Sequence, residues 1–119
     1  MYRKVEKKLE EWRKSRKRLP LIVQGARQVG KTYSVVEFGK KNYGNILYLN
    51  FESNNELHKV FERDLNPVRI IRELSAMTGE NVNEQGTLLF FDEIQSCSRE
   101  LTSLKYFAEE APGYSVIGA

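Results

Sequence analysis

The stretch from Leu19 to Thr32, Leu-Pro-Leu-Ile-Val-Gln-Gly-Ala-Arg-Gln-Val-Gly-Lys-Thr, constrains this chain more than any other. An apolar run enters Gly-x-x-x-x-Gly-Lys-Thr, a phosphate-binding pattern that needs a strand before it and a helix after it. Gly25 and Gly30 let the backbone fold back where a Cβ would clash. The N–H groups of Gly25, Ala26, Arg27, Gln28, Val29 and Gly30 can then converge as an anion nest. A helix starting near Lys31 adds unsatisfied N–H groups and the positive end of its dipole. Lys31 supplies a mobile positive charge for the outer phosphates, and the Thr32 hydroxyl is placed to ligate Mg²⁺. A loop of this kind suits a triphosphate.

The remaining pattern alternates strands with helices. Residues 19–24 read as a strand apolar on both faces, as in a buried parallel strand. A helix follows over 31–42, with Val35, Val36 and Phe38 inward and Gly44 as its stop. A second strand covers 45–51, and helical segments cover 54–63 and 67–78. Asn66 is the expected N-cap of the latter, with Pro67 at its first position and Gly79 closing it. A third strand covers 87–91, a helix capped by Ser98 runs to Glu110, and a fourth strand begins at Tyr114. This order predicts an α/β fold, a parallel sheet sandwiched by helices.

Residues 19–119 form that α/β portion, and residues 1–18 form a basic segment ahead of it. Tyr2, Val5, Leu9 and Trp12 fall on one stripe and predict an amphipathic helix over 2–17. The segment holds nine Lys/Arg and three Glu. The preferred reading is a surface helix with its stripe on the core. The alternative is a nucleic-acid-binding module, for which no interleaved aromatics offer base stacking.

The third strand runs into Asp92-Glu93. An Asp at the carboxyl end of a buried strand beside the phosphate loop would hold Mg²⁺ through a water, opposite Thr32. Glu93, one step on, would orient and partly deprotonate the water that attacks the γ-phosphate. A nucleotide switch or a P-loop kinase for a small acceptor shares the loop but does not need this second acid.

Gly-Ala-Arg-Gln-Val-Gly-Lys-Thr over Gly25–Thr32, with Phe91-Asp92-Glu93-Ile94-Gln95 downstream, resembles a group of bacterial and archaeal AAA-type ATPases. Members typically join such a domain to a C-terminal domain of unknown function. The resemblance covers essentially the whole chain and implies a P-loop NTPase fold of the AAA type. Its sheet order would be 5-1-4-3-2, truncated here after the fourth strand. It also implies ATP and ADP as ligands, Mg²⁺ as cofactor, Lys31 and Thr32 at the phosphate and metal positions, and Asp92 and Glu93 as the paired acids. Asn50 matches the polar residue that in such enzymes holds the catalytic glutamate away from water. The implied activity is ATP hydrolysis coupled to conformational change. Strand five, sensor, lid and arginine finger would lie beyond Ala119, so weak turnover by this piece and self-association through the edge of strand one are expected.

Cys97 is the single cysteine, which excludes an internal disulfide and makes a reducing, cytoplasmic setting the expectation. No apolar run approaches the roughly 18 residues of a membrane span. His58, the only histidine, lacks a partner at metal-ligand spacing and is expected on the surface. Cys97 is expected as a small loop residue, and Arg99 as a surface charge at a helix start.

Overall fold

The computed structural model describes residues 2–15, 19–23, 30–95 and 97–119. In chain order the elements are helix α1 (Tyr2–Lys14), strand β1 (Leu21–Ile22), α2 (Lys31–Asn42), β2 (Asn45–Asn50), α3 (Glu56–Val60), α4 (Pro67–Thr78), β3 (Thr87–Asp92), α5 (Ser98–Glu110) and β4 (Ser115–Gly118). All strand pairs are parallel, in the order β1-β4-β3-β2. Parallel neighbours need crossover connections, and the helices supply them. The α/β architecture and the insertion of β4 between β1 and β3 are as expected.

Successive strand residues point to opposite faces, and β3 serves a different layer with each. Leu88 and Phe90 join Leu9 and Trp12 of α1, Val35 and Phe38 of α2, and Ile117 of β4. Leu89 and Phe91 join Leu57, Ile70, Leu74, Leu104 and Phe107 from the other helices. The sheet thus carries α1 and α2 on one face and α3, α4 and α5 on the other, and β3 is buried at every position. Leu9 and Trp12 of the α1 stripe do face the core, and Trp12 Nε1 donates to Leu19 O at 2.6 Å, holding α1 to the entry of β1. Close approach of α2 depends on Gly39. A Cβ there would lie 2.6 Å from Ile46 Cδ1 and 2.9 Å from Leu88 Cδ2.

Local signals specify α4 completely. Asn66 Oδ1 accepts from the N–H groups of Val68 and Arg69, Pro67 opens the helix, and Gly79 closes it at φ 75°. Helix α2 has its expected bounds, Lys31–Asn42, but Gly44 does not cap it: Tyr43 is extended and its N–H bonds Gly39 O, while Gly44 N–H goes to Gly86 O. Pairing with the entry of β3 ends this helix. Between 54 and 63 only Glu56–Val60 is α-helical. The N-cap of α5 is Cys97, not Ser98, and α1 stops at Lys14. Strand β1 is short and lies at the sheet edge. Leu21 packs against the α1–α2 core, but Ile22 is 37% exposed, so this strand is not buried on both faces. Among the described residues, no helix is long and apolar enough to cross a membrane.

Candidate functional site

The period of two along β2 and β3 assembles the site. Ile46, Tyr48 and Asn50 share a face with Leu88, Phe90 and Asp92, and the register sets Tyr48 beside Phe90 and Asn50 beside Asp92. Each series turns from apolar to polar at its carboxyl end, where the first turn of α2 arrives. There Thr32 Oγ1 donates to Asp92 Oδ2 at 2.9 Å, and Tyr48 OH donates to the same oxygen at 2.7 Å. The other oxygen, Oδ1, accepts the Glu93 N–H at 3.0 Å. Asp92 is only 2% exposed. A carboxylate removed from water this far needs such donors, and bonds to a charged acceptor are the stronger kind.

Tyr48 continues the network outward. Asn50 Nδ2 donates to its hydroxyl at 3.3 Å, while Asn50 Oδ1 accepts from the N–H groups of Glu52 and Ser53 at 2.9 and 3.1 Å. The Asn50 side chain therefore closes the turn after β2 and also reaches toward the carboxylate through Tyr48. Burial, with the bond to Asp92, pushes the Tyr48 hydroxyl up to about 12. It remains a protonated donor at physiological pH. The Tyr48 ring is edge-on to Phe90 at 5.3 Å, which fixes its direction.

Two backbone features flank this network. Gly30 precedes α2 at φ 131°, a conformation glycine adopts without a Cβ penalty. Having no side chain, Gly30 cannot cap α2 itself, so the positive end of the helix dipole is presented beside Asp92. Among the described residues, Glu93 is the non-glycine with positive φ, at 61°. The cause is visible on either side: Asp92 ends β3, while Ile94 N–H is held by Ala119 O at 3.0 Å with its side chain fully buried. The chain must turn within one residue. A left-handed conformation costs a residue with a Cβ about 1–2 kcal/mol, and such strain concentrates at functional positions.

Thr32, Asp92 and Asn50 thus lie in one hydrogen-bonded network, with Lys31 and Glu93 next to two of its members in sequence. Gly25, Ala26, Arg27, Gln28 and Val29 lie outside the described residues. Tyr48 is absent from the sequence reading. Its signal was its position two residues before Asn50, on the same face of the strand.

One surface assignment is corrected. His58 is held at both ring nitrogens, with Nε2 2.8 Å from Phe51 O and Nδ1 against Glu100 Oε2. The Cys97 thiol belongs to the same cluster. Arg99 is exposed at the start of α5, as expected, and its Nε donates to Phe61 O at 2.6 Å, tying α5 to the turn after α3.

A family model described as an AAA domain matches residues 17–119. No curated protein and no solved structure matches the chain.

Proposed function

Because the chain belongs to the AAA domain family, whose members are nucleotide-binding ATPases, we propose that it binds ATP with Mg²⁺ at the start of α2 and hydrolyses it. Hydrolysis would be coupled to a conformational change. The observation that carries this reading is the bond from Thr32 Oγ1 to Asp92 Oδ2, which sets a hydroxyl beside a buried carboxylate at the end of β3. Hard oxygen donors of this kind are the set that Mg²⁺ prefers, so the residues fit the ion. When bound, Mg²⁺ supplies neutralisation of charge developing on the phosphate oxygens.

In this reading Lys31 and the loop Gly25–Gly30 hold the phosphates, and the N–H groups at the head of α2 add to that hold. Thr32 and Asp92 would hold the ion. Tyr48 keeps Asp92 in one rotamer. Glu93 orients the attacking water and takes its proton as the bond to the γ-phosphorus forms and the bond to the bridging oxygen breaks. Its left-handed backbone is an observation that favours a role over a passive turn. Asn50 holds Glu93 back until a partner engages.

The test compares nucleotide binding with phosphate release, without any added acceptor. Lys31→Ala should abolish binding, whereas Glu93→Gln should retain binding and lose turnover. Unchanged turnover in Glu93→Gln would remove the hydrolytic role. Phosphate transfer seen only with an added acceptor would replace the reading by a kinase.

A further inference from the structure

We propose that His58, Cys97 and Glu100 form a binding site for a divalent ion of the zinc class, joining α3 to the start of α5. The proposal does not depend on the nucleotide reading.

A ring nitrogen of His58, Cys97 Sγ and a Glu100 carboxylate oxygen all lie within 4.8 Å of one another. His58 Nε2 sits 2.8 Å from Phe51 O, and a carbonyl can only accept, so Nε2 is the donor there. Anchoring one ring N–H on a backbone carbonyl is how metal-binding histidines are oriented. Nδ1 lies directly against Glu100 Oε2, a contact that a proton on Nδ1 satisfies and that a metal ion would replace.

The surroundings favour the metal. Glu100 is only 4% exposed, so its charge is drawn from water and gains most from a fixed cation. Cys97 is the N-cap of α5 and Glu100 lies three residues on, a spacing that sets both side chains on one side of the first turn. A sulfur donor beside nitrogen and oxygen selects zinc-class ions and disfavours Mg²⁺ and Ca²⁺. Tetrahedral zinc, with bonds of roughly 2.0–2.3 Å, would require His58 and Glu100 to part from their direct contact and Cys97 to close in. The His58 side chain is 33% exposed, which leaves an entry path and a fourth position for water. Bound there, the ion would tie the exit of β2, through Phe51, to α3 and α5.

Titration of the full chain with Co²⁺ as a spectroscopic probe, followed by displacement with Zn²⁺, tests the site. One Co²⁺ per chain with a thiolate-to-cobalt charge-transfer band is expected, and Zn²⁺ should raise the thermal midpoint. The near-isosteric Cys97→Ser should lose the band, and His58→Gln should weaken binding at least about tenfold. The band should persist in Asp92→Asn, which separates this site from the nucleotide site. Absence of Co²⁺ binding, binding without a thiolate band, or loss of the band in Asp92→Asn would overturn the proposal. Should His58→Gln fail to fold, Cys97→Ser still decides the matter, because serine keeps the side chain's size and a donor toward Glu93 O.

Discussion

The hydroxyl of Tyr48 lies between Asp92 and Asn50, and the ring beneath it is steadied by Phe90. Hydrogen bonds to charged groups contribute about 1.5–3 kcal/mol, and partial access to water lowers the value. Tyr48 is 42% exposed, so Tyr48→Phe should lose about 1 kcal/mol of stability in urea unfolding. A variant as stable as the parent would mean that water replaces the hydroxyl without cost. At this scale, the meeting of Thr32 with Asp92 was legible, because the sequence pattern sets a hydroxyl at a helix start opposite an acid at a strand end. Tyr48 and His58 were not. Their partners stand 44 and 42 residues away in sequence, and only the folded register brings them together. The left-handed backbone of Glu93 was equally hidden, since the burial of Ile94 imposes it and glutamate itself does not prefer it.

Among elements, those governed by local chemistry were the readable ones. Asn66, Pro67 and Gly79 specify both ends of α4 without help from the rest of the chain. The end of α2 at Asn42 was legible, but not its cause: Gly44 looks like a stop, whereas its N–H is taken by Gly86 O from the neighbouring strand entry. Burial on both faces of β1 was inferred from its apolar residues, yet position in the sheet decides exposure, and β1 is at the edge. The more consequential glycine is Gly39. Alanine would favour the helix by about 1 kcal/mol, but its Cβ would press on Ile46 and on the fully buried Leu88. Overpacking of this kind costs about 1–3 kcal/mol. Gly39→Ala should therefore lower stability, by about 1 kcal/mol net, as measured by the urea midpoint. A gain in stability would show that α2 can lift from the sheet freely.

At the scale of the whole molecule, the two apolar layers meet only through the sheet, and α1 contributes Leu9 and Trp12 to one of them. Trp12 is the single tryptophan, so its fluorescence reports on that layer while far-UV circular dichroism reports on all the helices. The two unfolding transitions in urea should coincide, as in a cooperative domain. A fluorescence transition at clearly lower urea would mean that α1 detaches first. The α/β layering itself was legible, since alternation of apolar runs with helical periods leaves few other arrangements. The strand order has a further consequence for synthesis. β1 pairs with β4 through Leu21 and Ile117, although β2 and β3 both emerge in between. During translation, β1 and β3 each wait with an open backbone edge until Ser115–Gly118 leaves the ribosome. Pairing over such separations is slow, and open edges invite wrong partners. The keystone of this sheet is delivered after every neighbour it must join.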